Sequence, residues 1–367
     1  IDRSPQTMIW AFYILGFVYC FYMAIQIFRF KNFPKETPYK NTKELPLSII
    51  LPFKNEASNL PNLLKSLKDL NYANHEFIFV DDSSADKGSD IIRNHSSPLL
   101  LVTNKKEPGK KGALETGIEH AKNNYIITWD PDITVHSEIL TEFNQYFQQN
   151  KDMILGPVSF SAKNNFIANY GMLENTSLVA FGLMDAKANK PNMANGANFG
   201  FKRDLFLSLG GYSSNKAHAG GDDEFLMHLF MKAGAKIAAL SSTSAMVYSQ
   251  SMPNWKSFIH QRIRWGKKVK EYPNGLIKKY LISQLLFIAY LTLSILAICN
   301  NQYLPLALVL GAKITTDLTW FIAIKPFFQI KIDYAYALLS SVFQILIIPL
   351  VFIHVLIGKA EWKGRDI

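Results

Sequence analysis

The sequence predicts an α/β cytoplasmic domain flanked by transmembrane helices, and three observations carry that reading. Between Leu45 and about residue 150, short β-branched and aromatic runs alternate with segments of helical leucine spacing. Long apolar stretches lie towards both ends of the chain. After the first of these come Arg29, Lys31, Lys35, Lys40 and Lys43, whereas only Arg3 is basic before it, so the positive-inside rule places the next domain in the cytoplasm.

The chain has 367 residues, room for two domains. Met8 to Phe28 is apolar apart from Gln26 and is long enough to cross a bilayer. Its length and the absence of a small-residue cleavage pattern separate it from a signal peptide. The net charge of +10 is spread along the chain and partly flanks apolar segments, which suits an anionic membrane surface better than nucleic acid. Cys20 and Cys299 both lie in apolar segments, so neither a disulfide framework nor a cysteine metal site is indicated. Beyond Tyr280 the segments 281–299, 303–324 and 334–357 are each long enough to span. Lys313 and Asp317, four apart, share a helix face and neutralise one another; a role in an acceptor path is the alternative. Three crossings would leave Lys359, Lys363 and Arg365 outside, against the charge rule, so one segment is expected to lie in the interface or re-enter. The expected division is an N-terminal helix (1–30), a basic linker (31–44), the α/β domain (45–270), an interfacial linker (271–280), a membrane region (281–358) and a basic tail (359–367).

Within the α/β domain, Leu47–Leu51 reads as a strand ended by Pro52, and 56–70 as a helix with Leu60, Leu63, Leu64, Leu67 and Leu70 on one face. Phe77–Val80 is a second strand ended by Asp81 and Asp82, and 98–102 a third. Gly109 to Lys122 reads as a helix leading into a strand at Tyr125–Trp129. This alternation implies a parallel sheet with right-handed crossovers. Residues 151–270 are less regular, with a strand at 153–155, a glycine- and asparagine-rich stretch at 195–198 and a helix from Asp223 to Met231.

The strand at 125–129 runs into Asp130-Pro131-Asp132. Proline stops the ladder, so both carboxylates project beyond the strand end, where open parallel sheets bind ligands. Hard oxygen donors there suit Mg2+ or Mn2+ together with a substrate's phosphates. A turn that caps the next helix is the alternative. Three further clusters have plain explanations when taken singly: Asp81-Asp82 as an Asx turn, Asp222-Asp223-Glu224 as charge at a helix start, and Gln261-Arg262-Ile263-Arg264-Trp265 as an interfacial basic helix.

Their order and spacing resemble the family 2 glycosyltransferases, membrane-bound inverting enzymes with a GT-A (Rossmann-like) fold. The resemblance runs from about Leu45 to Trp265. It rests on Leu51-Pro52-Phe53-Lys54-Asn55-Glu56, Asp81-Asp82, the D-x-D of Asp130 and Asp132, Asp222-Asp223, and a full Q-x-x-R-W at Gln261, Arg264 and Trp265. Asp222 stands where the family more often has Glu. The resemblance implies that Pro52, Asn55, Glu56, Asp81 and Asp82 line a nucleotide pocket. Lys110, in a Gly-Lys-Lys-Gly run, would serve the nucleotide or its phosphates. Asp130 would approach the ribose or metal, and Asp132 would ligate the Mg2+ or Mn2+. Asp223 would be the base, with Asp222 beside it. Gln261, Arg264 and Arg262 would hold the diphosphate, and Trp265, Asn195 and Gly196 would face the acceptor. The implied partners are a nucleotide-sugar, a lipid or glycan acceptor, and the lipids of a bacterial-type inner or plasma membrane. Two acceptor classes fit: a lipid that takes one sugar, as in ceramide glucosyltransferase-like enzymes, or a growing polymer, as in cellulose, chitin and hyaluronan synthases. So few spans make a poor polymer channel without an oligomer or partner subunit, which favours the lipid. A membrane-anchored nucleotide-binding scaffold is the remote alternative, and the filled acidic positions argue against it.

Overall fold

The computed structural model describes residues 4–33, 43–96, 99–213, 221–357, 361–362 and 365–366. Arg3, Lys35, Lys40, Pro98, Lys359 and Lys363, which the sequence reading used, lie outside the described residues. The chain divides into two units: Ile1–Asn32, Ala162–Ser177 and Ser251–Ile367 form one, and Phe33–Ser161 and Leu178–Gln250 the other. Residues 162–177 and 251–270, expected within the α/β domain, thus fall in the unit that holds the apolar helices.

In chain order the elements begin with α1 (Ser4–Lys31), β1 (Leu47–Phe53), α2 (Leu60–Leu67), β2 (His75–Asp81), α3 (Gly88–Arg93), β3 (Leu100–Thr103), α4 (Lys110–His120) and β4 (Tyr125–Trp129). They continue with β5 (Thr134–Val135), α5 (Ile139–Gln148), β6 (Met153–Leu155), β7 (Val158–Ser161), α6 (Phe166–Lys187), β8 (Asn198–Lys202), α7 (Arg203–Ser208) and α8 (Glu224–Lys232). The rest are β9 (Ile237–Ala239), β10 (Val247–Gln250), α9 (Trp255–Lys268), α10 (Asn274–Cys299), α11 (Tyr303–Phe328), α12 (Tyr334–Ile357), β11 (Glu361–Trp362) and β12 (Arg365–Asp366).

The α/β unit is built on a sheet ordered β3-β2-β1-β4-β8-β6-β9. The first four strands are mutually parallel, as the alternation implies. Beyond these four the sheet is mixed, because β8, from a segment with no predicted strand, runs antiparallel to both β4 and β6. A strand's direction is set by the connection that delivers it, and the 198–202 segment carries no mark of its own. A second sheet, β5-β10-β7, meets the first around buried Asn198, whose amide donates to the carbonyls of Pro157 (2.9 Å) and Ala245 (3.0 Å). Ile49, Ile50, Phe79, Val80, Ile126 and Ile127 are fully buried and make the two-sided core that a covered sheet requires.

Two local expectations change. Pro52 lies inside β1, opposite Val80, rather than ending the strand. Phe53 O accepts from Asp82 N, so by alternation Pro52 faces the β4 side, where pairing has already stopped at Ile50–Thr128. Helix α2 begins at Leu60, because Glu56–Asn59 forms a turn that precedes Pro61. Leu60, Leu63, Leu64 and Leu67 are buried as expected, and Leu70 is partly exposed.

In the other unit, α1, α10, α11 and α12 are each long and apolar enough to cross a membrane. Helix α10 starts at Asn274, so most of the expected linker at 271–280 is helical. Helix α1 packs closely on α11: a Cβ on Gly16 would lie 2.9 Å from Val309 Cγ1, and Phe30 stacks on Phe328. At their centre Lys313 Nζ donates to Asp317 Oδ2 (2.6 Å) and to the Ser341 carbonyl (2.8 Å), while the Tyr19 hydroxyl donates to Asp317 Oδ1. The expected neutralisation of Lys313 by Asp317 is thus seen, sealed among three helices.

Candidate active site

The site grows from the end of β4. Trp129 is fully buried and its indole donates to Asn198 Oδ1 (3.3 Å), which fixes the strand end. Pro131 follows, with Asp130 half-exposed on one side of it and Asp132 exposed on the other. Lys110, the first residue of α4, reaches this end. Its Nζ lies 2.7 Å from Asp130 Oδ1 and 2.9 Å from Asp222 Oδ2, and it donates to Gly196 O (3.4 Å). Asp223 closes the group: Oδ2 accepts from Gly196 N (2.7 Å), and Oδ1 accepts from Glu224 N (2.8 Å) as the N-cap of α8. Gly196 is required by this approach, since a Cβ there would stand 2.7 Å from Lys110 Nζ and 3.0 Å from Asp222 Oδ2.

Asp222 is buried, whereas Asp223 is partly exposed, so two adjacent carboxylates have different access. Burial pushes the Asp130 carboxyl up from 3.8 to about 6, helped by Asp132 and Asp222 and opposed by the Lys110 ammonium. For Lys110, burial works against the charge, but Asp130, Asp222 and Asp223 outweigh it and hold the ammonium well above its ordinary value. Three carboxylates therefore converge on one cation, and the cluster has an excess of negative charge.

The loops after β1 and β2 lock together beside it. Asn55, at φ +58°, donates its amide to Ser84 Oγ (3.0 Å), and its Oδ1 accepts from Ala85 N (2.8 Å). Asp81 Oδ1 accepts from Ser84 N (2.8 Å), and its Oδ2 accepts from the Ser89 hydroxyl. Glu56 Oε2 accepts from Asn59 Nδ2 (2.7 Å). Asp82 is buried, with Oδ1 accepting from Asn104 Nδ2 (2.7 Å) and Gly109 N (2.9 Å) and Oδ2 lying 4.0 Å from Lys54 Nζ. Asn55 and Asp81 thus shape the loop walls, and Asp82 secures the residue just before Lys110.

In the other unit, α9 carries Gln261, Arg262, Arg264 and Trp265. The Arg262 guanidinium donates to Glu174 Oε2 from Nε (3.0 Å) and Nη2 (2.7 Å), to Asn175 Oδ1 (2.7 Å) and to Gln261 Oε1 (2.5 Å). It also lies over the rings of Phe258 (4.5 Å) and Trp265 (4.4 Å). Gln261, Arg262 and Trp265 therefore form one knot with α6. Glu174 and Asn175 were not anticipated, although a lone glutamate in an otherwise uncharged run from 164 to 184 is a readable signal.

Among the described residues no three His, Cys, Asp or Glu side chains converge to hold a metal ion by themselves. Asp130 and Asp132 offer hard carboxylate oxygens in a cluster of surplus negative charge. That donor set fits Mg2+ or Mn2+ completing its shell with phosphate and water.

Residues 48–210 match the model of Glycosyl transferase family 2. The chain carries a family 2 glycosyltransferase domain. It is 28% identical over 254 residues to the probable glycosyltransferase YdaM of Bacillus subtilis, covering 65% of this chain and 58% of that protein. The chain thus spans little more than half the length of this relative. It is 23% identical over 309 residues to the poly-beta-1,6-N-acetyl-D-glucosamine synthase of Staphylococcus epidermidis, covering 80% of this chain and 72% of the synthase. The fold is similar to that of mannosyltransferase PcManGT from Pyrobaculum calidifontis, solved with GDP-Man and Mn2+. Its TM-score is 0.60 at 18% identity, covering 93% of this chain and 98% of the other. The glycosyltransferase domain thus has the GT-A-like mixed sheet that its motifs imply.

Proposed function

We propose that the protein transfers one sugar from a nucleotide-sugar, a UDP-sugar by preference, to a hydroxyl or phosphate of a membrane lipid, with inversion at the anomeric carbon. The observation that carries this reading is the junction of Asp130 and Asp222 on Lys110 at the end of β4, with Asp223 beside them on the Gly196 amide. Asp223 is the base: it is partly exposed and held by two backbone amides, so its oxygens are aimed before the acceptor arrives. From a hydroxyl acceptor it removes the proton as that oxygen attacks C1 from the face opposite the nucleotide; an ionised lipid phosphate would attack without this transfer. The bond to the diphosphate breaks in the same displacement, which inverts the centre. Asp222, paired with Lys110, supplies charge and position rather than proton transfer.

Asp130 and Asp132 would hold the divalent ion, which when bound neutralises the diphosphate leaving group. A Mn2+ complex of the structurally similar mannosyltransferase supports that choice. Lys110 would share the phosphate charge. Arg262 is held within its own unit by Glu174 and Asn175. With Arg29 and Lys31 in the last turn of α1, the charge rule puts that end of the helix in the cytoplasm, and the catalytic domain with it.

A polymer product is the second reading, favoured by the match to the Staphylococcus synthase across most of its length. The test is incubation of purified full-length protein in lipid nanodiscs with labelled UDP-sugars, lipid extract and Mn2+. Label entering the chloroform phase supports the lipid acceptor, and a chloroform-insoluble polymer overturns it. Undiminished transfer in excess EDTA would refute the metal role of Asp130 and Asp132.

A further inference from the structure

Among the described residues four helices are apolar enough to span, but the packing within their unit admits only three crossings. Asn300–Gln302 joins α10 to α11, and Lys313 Nζ of α11 lies 5.9 Å from the Phe287 ring of α10. Phe287 and Lys313 are nearly equidistant from the turn, so the two helices form an antiparallel hairpin. It returns the chain to the side from which α10 set out. Helix α12 starts on that side as well, for Lys325 in the last turn of α11 lies 5.8 Å over the Tyr334 ring.

If α12 crossed, its 24 residues at about 1.5 Å each would carry its end to the opposite face. Its end lies elsewhere. Phe352 packs on Tyr280 in the second turn of α10, with ring centroids 6.1 Å apart. Val355 meets Gly266 of α9 so closely that a Cβ on the glycine would stand 2.4 Å from Val355 Cγ2. Trp255 at the other end of α9 packs on Phe343 (5.2 Å), so α9 and α12 run side by side in the same direction. Helix α9 carries Lys256, His260, Arg262, Arg264, Lys267 and Lys268, too many charges to lie in hydrocarbon. On the face of α12 away from α9, Leu346, Leu350, Ile353 and Ile357 form an apolar stripe at helical spacing, 46 to 78% exposed.

We infer that α12 does not cross the membrane but lies along its surface, between the basic helix α9 and the bilayer hydrocarbon, with the Leu346–Ile357 stripe facing the acyl chains. Cationic α9 on the water side and an unbroken apolar stripe on the other make a composite two-helix amphipath, the arrangement of a helix that lies in an interface. Sequence alone cannot show it, because α12 is apolar all round and borrows its polar face from α9. Three crossings also leave Ile357 on the same side as α9, the side the charge rule requires where a basic tail follows. The inference rests on packing within this unit and is independent of sugar transfer.

Nitroxide labels at Leu346→Cys, Leu350→Cys, Ile353→Cys and Ile357→Cys, in a Cys20→Ser/Cys299→Ser background in nanodiscs, test it by collision with oxygen and a nickel chelate. All four positions are exposed, so the fold tolerates them. Four depths agreeing within about 5 Å are expected; a monotonic change of about 16 Å over these 11 residues, as a crossing helix requires, overturns the inference. In sealed vesicles of one orientation, an impermeant maleimide should label Lys359→Cys from the same side as Lys270→Cys. Labelling of Lys359→Cys with Asn301→Cys instead would show a fourth crossing.

Discussion

Two of the lysine–aspartate clusters among the described residues, around Lys313 in one unit and Lys110 in the other, differ in a way that separates a site from a scaffold. Around Lys313 the count is balanced: one ammonium, one carboxylate, a tyrosine hydroxyl and a backbone carbonyl, with Lys313 0% and Asp317 3% exposed. Around Lys110 it is not. Three carboxylates share one ammonium, with Asp130 30% and Lys110 18% exposed. A sealed and neutral group has nothing further to bind, whereas an accessible one with surplus negative charge is completed by a cation and a polar ligand. Lys–Asp pairing alone says little; access and imbalance decide.

The sharpest way to break this contrast is Asp223→Asn. Asparagine keeps the N-cap of α8 but cannot take a proton, so turnover should fall about 100- to 10,000-fold while the melting temperature holds. Near-normal turnover would move the base elsewhere. Next in size is Lys313→Met, which strands Asp317 in an apolar bundle and should cost about 3–5 kcal/mol, read as thermal unfolding in detergent. Lys313→Met with Asp317→Leu should recover most of that loss; failure to recover would give the pair a role beyond neutralisation.

A smaller effect should appear in the pH profile. In the proposed donor role Asp130 must be ionised, and burial pushes its carboxyl up to about 6, so donor kcat/KM should fall as pH drops through that value. Lys110 holds this carboxyl down, so Lys110→Met should move the acidic limb to higher pH. The stability effect has a consistent sign: a carboxyl raised above 3.8 binds its proton more tightly folded than unfolded, so its ionisation weakens folding between about pH 4 and 6, and the substitution extends that window upward. An unshifted limb in Lys110→Met would disconnect the two groups.

The smallest predicted effects come from two glycines. In Gly196→Ala the new methyl meets the paired Lys110 ammonium at 2.7 Å and Asp222 Oδ2 at 3.0 Å, so the ion cluster must open and turnover should drop several-fold, with the smaller effect on stability. In Gly16→Ala it meets a packed valine between α1 and α11, so stability should fall by about 1–3 kcal/mol with turnover per folded molecule unchanged. Reversed outcomes would blur the line between the clusters.

Much of this was legible in the sequence, for identifiable reasons. Strand β4 and its D-x-D showed because five β-branched or aromatic residues and a proline are a local signal, and Asp223 at the head of α8 showed because capping is local too. The alternating β1–β4 half of the sheet followed from periodicity. Helix α6 escaped because apolar and small residues surround it on every side, so no 3.6-residue rhythm stands out, and β8 escaped because direction is not written in a strand's composition. The Lys110 cluster was legible as motifs but not as an ion network, since its members come from four separate segments. Arg262 read as a phosphate ligand because its partners Glu174 and Asn175 lie on another helix far away in sequence.

The hydrogen bond from Gly109 N to Asp82 Oδ1 has a consequence for how such a protein can change. Asp82 belongs to the motif expected to meet the nucleobase, while the residue after Gly109 is Lys110. Any replacement of Asp82 that altered nucleotide preference would also remove the acceptor that steadies the start of α4. If Asp82 meets the nucleobase as its motif implies, donor choice and the charge cluster are coupled through this bond. A single substitution at Asp82 is then expected to change nucleotide preference and turnover together.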